Sequence, residues 1–330
     1  MNKLPFELKE RKIIIKNESP TDNSYGKYPK ERSTKELLNN GVICLNKVDG
    51  PTSHQVADYV KKILKLEKVG HGGTLDPNVS GVLPIGLGKA TRLMEALLKG
   101  GKEYVCLMHI HSEINEDIIR KSSERFIGKI IQLPPVKSAV KRQLREREIY
   151  YIEILEIKGQ DILFKVGCQA GTYIRRLCDD FGKYLGTKAH MQELVRTKAC
   201  NFTDSEWYSL HDVMDAFYLY KEENNDSELR KIIKPSEFAV SHLPKLWVID
   251  SAVDTLCHGA NLSIPGISKF ESCIEKNDLV AVFSLKEELI SLGTAVMSSE
   301  DIKSNERGIA IKSKKVFMEP EVYPHYKKSD

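Results

Sequence analysis

The sequence predicts an α+β protein with two domains behind an extended N-terminal arm. Up to about Leu243, apolar strand patterns alternate with amphipathic helical patterns. Beyond Leu243-Pro244-Lys245 the texture changes to short apolar runs between polar turns, namely DLVAVF, LGTAVM, GIAIKS and KKVFME. Such spacing is typical of a small β-barrel or sandwich. A chain of 330 residues is long enough to form two domains of this kind.

These changes of texture set the predicted bounds. Residues 1–37 are polar and rich in charge, so we expect an extended arm rather than an independent domain. Residues 38–244 form the first predicted domain, residues 245–322 the second, and residues 323–330 a short tail.

The first domain is predicted to open with a strand and a helix. The run GVICLNK is apolar enough for a buried strand, and Ser53 is an expected N-cap for the following helix. SGVLPIGLG then predicts a strand and TRLMEALL a helix ending at two glycines. Spacings of three and four place one face of the first helix inward, comprising Val56, Tyr59, Val60, Ile63 and Leu64.

The second half of this domain is predicted to hold a strand, a hairpin and two helices. EYVCLMHIH is rich in β-branched and aromatic residues, and YYIEILEIKGQDILFKVGC predicts a hairpin that turns near Lys158–Asp161. Ser209 and Asp212 form a capping box for LHDVMDAFYLY. The helix RRLCDDFGKYLG is expected to direct inward Leu177, Phe181, Tyr184 and Leu185.

Composition narrows the classes of protein. The formal net charge of +4 is a weak indication of an acidic partner, so local clusters matter more. The N-terminus lacks the apolar stretch of a signal peptide, and no run reaches the length of a membrane span. Seven cysteines without a CxxC pair indicate neither a zinc site nor a disulfide framework, and their odd number suits a reducing, cytoplasmic location.

The stretch GHGGTLDP is the first candidate for chemistry. Asp76 precedes a proline, a common turn pattern, so the residue types alone leave a turn and a catalytic carboxylate both open. Gly72 and Gly73 permit close approach of another backbone, and His71 can bond or stack on a flat ligand. Without a second carboxylate nearby, Asp76 would act as a nucleophile or electrostatic stabiliser rather than in a glycosidase-type pair.

Two further segments, KEYVC and AGTYIRRLCDD, contain candidate residues. Tyr104 lies on a predicted strand, where a tyrosine usually packs. Arg175 and Arg176 are adjacent on a predicted helix and diverge by about 100°, so one is expected to turn inward and the other to solvent. Because a buried arginine needs a carboxylate partner, we expect the inward arginine to pair with Asp76.

The segment KSAVKRQLREREIYY combines basic residues with two tyrosines. This pattern suits phosphate contact and base stacking, and it equally suits a solvated surface. The alternating His109 and His111 share a strand face, and with no cysteine or acidic ligand expected beside them they are predicted to pack rather than bind metal.

Together these pieces resemble one family. LNKVDGPTSH, GHGGTLDP, KEYVC, GTYIRRL and AHMQELVRT are similar, in order, to motifs of the TruB-type RNA pseudouridine synthases. LPPVKSAVKRQLREREIYYIEILEI and CQAGTYIRRLC resemble the dyskerin branch, the catalytic subunits of H/ACA guide-RNA particles. DSAVDTLCHGANLSIPGI looks like the start of a PUA domain, and the compact length resembles archaeal members. Val48 replaces a usual proline and Arg176 a usual small or polar residue, which affects local loop geometry.

The resemblance implies a fold and a set of catalytic roles. The fold would be a mixed, largely antiparallel sheet with flanking helices, followed by a small β-barrel PUA domain. Asp76 would be the catalytic aspartate, attacking ribose C1′ or the uracil ring, or promoting elimination to a glycal. Tyr104 would stack on the base and help to move a proton, and Arg175 would pair with Asp76.

The same resemblance implies binding residues. His71, Gly72, Gly73, Leu194 and Lys47 would form the substrate pocket, with Lys47 mainly structural, and the two glycines would leave room for a flipped nucleotide. The segment from Lys137 to Arg147 would be a loop closing over RNA, while the C-terminal GANLSIPGI turn would hold the guide. The implied RNA contacts are Lys141, Arg142, Arg145, Arg147, Gly259, Ala260, Pro265 and Gly266.

The implied reaction is isomerisation of uridine to pseudouridine, which needs no cofactor or metal. The implied partners are an H/ACA guide RNA, target rRNA, tRNA as a further substrate, and small Nop-type and Gar-type subunits with a kink-turn-binding ribosomal-type protein. Two alternatives stay open: a stand-alone enzyme acting on the tRNA TΨC loop, and a non-catalytic RNA scaffold with the same fold. The N-terminal arm is expected to lie against the second domain.

Overall fold

A computed structural model describes residues 2–134 and 142–324. The helices are α1 (Pro5–Leu8), α2 (Thr34–Asn40), α3 (Ser53–Ile63), α4 (Met94–Leu98), α5 (Glu116–Glu124), α6 (Ile174–Tyr184), α7 (Leu210–Glu222), α8 (Ser227–Ile232), α9 (Asp250–Cys257) and α10 (Ser299–Ser304). Short 3-10 turns cover Pro29–Glu31, Gly88–Leu93, Asp204–Glu206, Ser236–Val240 and Ile264–Gly266.

The C-terminal residues form several short strands, as the sequence predicted. They are β1 (Ile13–Ile15), β2 (Gly41–Lys47), β3 (Val69–His71), β4 (Ser80–Leu87), β5 (Lys102–Ile110), β6 (Gly128–Gln132), β7 (Arg145–Lys158), β8 (Asp161–Cys168), β9 (Ala189–Ala199), β10 (Phe202–Thr203), β11 (Ile233–Pro235), β12 (Lys245–Val248), β13 (Leu262–Ser263), β14 (Ile267–Glu271), β15 (Leu279–Phe283), β16 (Leu289–Ala295) and β17 (Ile309–Val316).

The described residues form two compact units. The first contains residues 2–8 and 43–232, and the second contains residues 9–42 and 233–324. The predicted arm is therefore divided between the units, and the second unit also includes residues up to 42 that had been assigned to the first domain.

The first unit is built on one mixed sheet. Its strands run in the order β2-β4-β9-β5-β8-β7-β6, and β3 adds to β4. β4 and β9 are parallel, whereas β5 pairs antiparallel with both β9 and β8, and β7 pairs antiparallel with both β8 and β6. This confirms the predicted α+β class and the largely antiparallel sheet. α6 packs on the sheet through the buried side chains of Ile174, Leu177, Cys178 and Phe181.

The second unit is built on a seven-stranded sheet in the order β1-β14-β12-β15-β16-β17-β13. The N-terminal arm provides its edge strand, because Ile13–Ile15 pairs antiparallel with Lys269–Glu271. This pairing confirms that the arm lies against the C-terminal strands. GIAIKS and KKVFME, predicted as separate strands, belong to the single strand β17.

Three local predictions on helices were wrong. The N-cap of α3 is Thr52, which forms a capping box with Gln55, so Ser53 is the first helical residue. Tyr59 is 41% exposed and Tyr184 is 52% exposed, although both were placed on inward faces. A tyrosine at the margin of an apolar stripe can pack its ring while its hydroxyl reaches water. The Ser209–Asp212 capping box is present, as predicted.

Among residues 2–134 and 142–324, no helix combines the length and the apolar character needed to cross a membrane.

Candidate active site

The site begins with the loop that joins β3 to β4 and carries Asp76. Buried Lys47 anchors its second half, because the ammonium donates to the carbonyls of Pro77 at 2.8 Å and Val79 at 2.8 Å. Ser53 anchors its first half, since its hydroxyl bonds both the N–H and the C=O of Leu75, at 2.9 and 3.1 Å. The backbone on both sides of Asp76 is thus fixed while its carboxylate stays exposed.

Asp76 and Arg175 form the ion pair that the sequence predicted. The Arg175 guanidinium lies 3.1 Å from the Asp76 carboxylate. The prediction that this arginine is buried was wrong, because its side chain is 54% exposed and that of Asp76 is 61% exposed. Arg176 instead bonds Asp179 and Asp180 on its own helix. The pair is therefore open to an incoming ligand.

Sheet register places two more side chains beside this pair. Arg196 on β9 lies opposite Gly81 on parallel β4 and opposite Tyr104 on antiparallel β5. The Arg196 side chain is 1% exposed and donates to the carbonyls of Val82 at 2.7 Å and Gly73 at 3.1 Å. Arg196 thereby joins the base of the Asp76 loop to the strand that carries Tyr104.

Tyr104 is held as a neutral phenol. Burial raises its pKa, the charge of Asp76 adds to the rise, and the guanidinium of Arg196 opposes it. The Tyr104 ring packs against the core cluster that includes Leu75, Leu194 and Ile174. Leu194 is 8% exposed and lies opposite Cys106, two positions along the strand from Tyr104. A neutral hydroxyl above an apolar floor can bind a flat base and relay a proton.

Contacts within the protein explain why positions 72 and 73 of the loop are glycines. Gly72 is buried, and a side chain there would meet Leu97 at 2.7 Å and Pro84 at 3.3 Å. Gly73 has φ +140° and its carbonyl accepts the bond from Arg196. The space that was predicted for a flipped nucleotide is thus filled at Gly72 by the protein itself. A contact of these glycines with RNA stays a prediction.

His71 lies at the side of the loop in an open cleft of about 530 Å³. Its ring meets that of His54 edge-on, with centroids 4.7 Å apart. Neither ring nitrogen has a hydrogen-bond partner among the described residues. Burial lowers the pKa of His71, with smaller contributions from His54 and Arg196, so the neutral ring offers one donor and one acceptor to a ligand.

The lowered pKa of His71 predicts acid sensitivity. The folded protein binds this proton more weakly than the unfolded chain, so the stabilisation is complete above pH 6.5 and is lost as the pH falls below that value. We expect His71→Gln to reduce the fall in unfolding free energy between pH 7 and pH 5, measured by urea titration. His211→Gln, at an exposed position, is the control. Equal pH dependence in the His71 variant and wild type would contradict this assignment.

The predicted RNA contacts are dispersed. Lys137 and Lys141 lie outside the described residues, and Arg142 is exposed. Arg145 and Arg147 were expected in a loop, but they begin β7, paired with β6. Arg147 also donates to the carbonyl of Gly171 at 3.1 Å, so part of its guanidinium is already bonded within the protein.

The predicted guide-binding turn follows α9. Gly259 is exposed with φ +88°, and open space surrounds its side-chain position. Ala260 is half-buried and Pro265 is exposed, whereas a side chain at Gly266 would come within 3.1 Å of Ala252 and 3.2 Å of Leu262. The exposed backbone at Gly259 can be approached closely by a ligand, and the role of this turn in RNA binding stays a prediction.

His109 and His111 have hydrogen-bond partners that are distant in sequence. His109 bonds the Asp161 carboxylate at 2.7 Å, and His111 bonds His190 at 3.0 Å. The assumption that no acidic residue lies nearby was therefore wrong, because the β5–β8 pairing brings Asp161 opposite His109. Among the described residues, no three His, Cys, Asp or Glu side chains are arranged to hold a metal ion.

Sequence reasoning did not single out Arg196 or the anchoring role of Ser53. Leu194 and Arg196 are two residues apart on one strand, so alternation placed them on the same face and could have indicated Arg196. Ser53 was predicted to be the N-cap, because serine and threonine are equally suited to start a helix. Only the fold shows that Thr52 is the cap and that Ser53 faces Leu75.

Comparison with family profiles covers almost the whole chain. Residues 61–174 match the N-terminal domain of the TruB family pseudouridylate synthases, and residues 175–241 match the tRNA pseudouridylate synthase B C-terminal domain. Residues 244–317 match the PUA domain, and residues 1–57 match the DKCLD domain.

Full-length relatives and solved structures agree with these profiles. "Probable tRNA pseudouridine synthase B" of Methanopyrus kandleri is 49% identical, covering 98% of this chain and 95% of the relative. The protein of the same name from Pyrococcus furiosus is 51% identical, covering 97% of this chain and 95% of the relative. The structure titled "Crystal Structure of a Cbf5-Nop10-Gar1 Complex" has a TM-score of 0.94 at 50% identity, covering 98% of this chain and 99% of that one. An H/ACA RNP bound to a substrate RNA containing 2'-deoxyuridine gives a TM-score of 0.91 at 48% identity, with 98% and 99% coverage.

Proposed function

Because the chain belongs to the TruB family of pseudouridylate synthases, we propose that Asp76, Tyr104 and Arg175 convert uridine to pseudouridine in RNA, directed by a guide RNA. The observation that carries the proposal is the exposed Asp76 carboxylate, paired at 3.1 Å with Arg175 and fixed by buried anchors on both sides. A pre-positioned carboxylate that is still open to a ligand is what attack on a nucleotide requires.

The chain's own residues supply each requirement of the isomerisation. The N1–C1′ bond breaks, the uracil turns, and a C1′–C5 bond forms, while C5 loses its proton and N1 gains one, so the composition is unchanged. Asp76 provides the negative charge that attacks or stabilises, and Arg175 orients its carboxylate from 3.1 Å away. Tyr104 stacks on the base and, as a neutral phenol, moves a proton, while Leu194 forms the apolar floor.

Guide direction is favoured over unguided action by the second unit and by the solved relatives. The match to a PUA domain covers residues 244–317, and the exposed turn at Gly259 and Pro265 offers a backbone edge for the guide. The structural relatives are a Cbf5-Nop10-Gar1 complex and an H/ACA RNP. We infer that this chain acts with a guide RNA, small Nop-type and Gar-type subunits and a kink-turn-binding ribosomal-type protein, and that its target is rRNA.

A tritium assay tests the proposal. An rRNA fragment labelled with tritium at C5 of one uridine is mixed with the protein, its partner subunits and a complementary guide RNA. We expect tritium release that depends on the guide and stops when its pairing sequence is scrambled. Guide-independent release from the rRNA fragment would contradict guide direction.

A stand-alone tRNA activity is the second candidate, since the similar curated proteins carry the name tRNA pseudouridine synthase B. It shares every residue of the site and differs only in how the RNA is presented. Release of tritium from a tRNA transcript labelled in the TΨC loop, with no guide present, would favour it. No release from that transcript, with release from the guided target, would favour the first.

We also place the enzyme in the cytoplasm. The described cysteines are all free thiols, and six of the seven are buried. The thiols of Cys106 and Cys178 share a hydrogen bond at 3.6 Å and form no disulfide. Unpaired, buried cysteines in this number are typical of proteins kept in a reducing compartment.

Arg142 should contribute to RNA affinity through phosphate contact. It is exposed on the approach to β7 and belongs to the basic segment from Lys137 to Arg147. We expect Arg142→Ala to weaken RNA binding and to reduce the slope of log K against log salt by about 0.7–0.9. Filter binding over a salt series measures this slope. Lys276→Ala, an exposed lysine paired with Asp301, is the control, and an unchanged slope for Arg142→Ala would count against phosphate contact.

A further inference from the structure

Gln132 is an amide buried at the last position of β6, with 2% of its surface exposed. Its side chain makes two reciprocal hydrogen bonds with one backbone unit, that of Tyr173. The Gln132 amide nitrogen donates to the Tyr173 carbonyl at 3.2 Å, and the Tyr173 N–H donates to the Gln132 amide oxygen at 3.0 Å. Two such bonds fix both the position and the orientation of a peptide.

The residue that Gln132 holds is the N-cap of α6. The side chain of Tyr173 makes no cap hydrogen bond of its own, so Gln132, from a distant strand, binds the N-cap backbone. Arg175 is the second residue of that helix, two positions after Tyr173, and its guanidinium reaches Asp76. The position of the Tyr173 backbone therefore helps to set the position of the Arg175 Cα atom, from which the side chain extends to Asp76.

The loop that leads into α6 is tied to the same hairpin at two more points. Arg147 on β7 donates to the carbonyl of Gly171 at 3.1 Å, and the N–H of Gln169 donates to the carbonyl of Glu148 at 2.8 Å. Both contacts are on the strand that pairs with β6. The β6–β7 hairpin thus holds residues 169–173 at three successive points.

We propose that Gln132 is a positioning residue for Arg175, acting through the backbone of Tyr173 to hold the guanidinium against Asp76. It couples the β6–β7 hairpin, which leads into the basic segment, to the ion pair of the active site. This rests on the proposed function of Asp76 and Arg175. Misplacement of a catalytic group by about 1 Å can cost about 100-fold in rate, which sets the scale of the effect.

Gln132→Met tests the proposal by keeping the length of the side chain while removing both hydrogen bonds. We expect the single-turnover rate on a guided target to fall about 10-fold to 100-fold, with RNA Kd within about 3-fold of wild type. Gln160→Met, in the turn between β7 and β8, is the matched control. An unchanged rate, or a loss that is entirely in RNA Kd, would overturn the proposal.

Gln132→Glu adds a readout that general loss of stability would not give. The carboxylate still accepts from the Tyr173 N–H but cannot donate to the Tyr173 carbonyl, and protonation restores an O–H donor. The rate of this variant relative to wild type should rise as the pH is lowered. A ratio that is constant with pH would contradict the geometry.

Amide hydrogen exchange separates this inference from the proposed function. The Tyr173 N–H should exchange faster in Gln132→Met than in wild type, whether or not the protein turns over RNA. If exchange is faster and the wild type is inactive, the anchor is real and the proposed function fails. If exchange is unchanged, the positioning role is wrong even when wild-type activity is normal.

Discussion

Asp76→Asn is expected to reduce the rate of tritium release from C5-labelled uridine by at least about 1,000-fold. The substitution keeps the size and polarity of the side chain but removes the charge that attacks or stabilises. Because the carboxylate is 61% exposed, and because its loop is anchored by Lys47 and Ser53, the variant should keep the wild-type midpoint of thermal unfolding. Single-turnover kinetics and calorimetry measure the two quantities.

Asp58→Asn is the matched control for Asp76→Asn. Asp58 is a partly exposed carboxylate of the first unit, paired with Lys62 on α3. Its neutralisation should leave the rate within about 2-fold of wild type. Comparable rates for Asp76→Asn and wild type would remove Asp76 from the reaction, and comparable losses in both variants would indicate a nonspecific effect of charge.

Arg196→Met is expected to combine a large loss of stability with a loss of activity. The side chain is buried, and its removal leaves the carbonyls of Val82 and Gly73 without these donors. Buried polar groups that lose their partners cost about 1–3 kcal/mol each, so we expect the free energy of unfolding to fall by about 3 kcal/mol. Urea unfolding measures this, and the rate should fall because the Asp76 loop and Tyr104 lose their common support.

Arg196→Lys and Arg92→Met complete that experiment. Lysine keeps the charge but lacks the planar fork that reaches two carbonyls, so Arg196→Lys should be intermediate in both stability and rate. Arg92→Met, on the 3-10 turn before α4, should change the unfolding free energy by less than about 1 kcal/mol. A change below that level in Arg196→Met would contradict the account of its contacts.

Much of the fold follows from patterns that are local in sequence. The hairpin at Lys158–Asp161 and the Ser209–Asp212 capping box depend on side-chain period and on contacts three residues apart, and both are present. The Asp76–Arg175 pair, 99 residues apart, was also predicted, although the premise of a buried arginine was wrong, because the Arg175 side chain is 54% exposed.

What could not be predicted depends on depth in the sheet and on backbone partners. Arg196 and Arg175 are the same residue type, so the sequence alone does not tell which is buried. In the fold, Arg196 is buried beneath the Asp76 loop, whereas Arg175 is exposed at its surface. Gln132 bonds the backbone N–H and C=O of Tyr173. Because nearly every residue type has these groups, the sequence pattern does not indicate the contact. Gly72 was attributed to RNA because the proximity of Leu97 and Pro84 is visible only in the fold.

Nucleoside analysis of a guided target tests the central claim most directly. An RNA with one uridine at the guided position is incubated with the protein, its partner subunits and the guide, then digested to nucleosides and separated by chromatography with mass detection. We expect this uridine to be converted, without a change in mass, to one pseudouridine per target, and we expect Asp76→Asn to leave it as uridine. An assembled particle that binds the target and still yields only uridine would contradict the account.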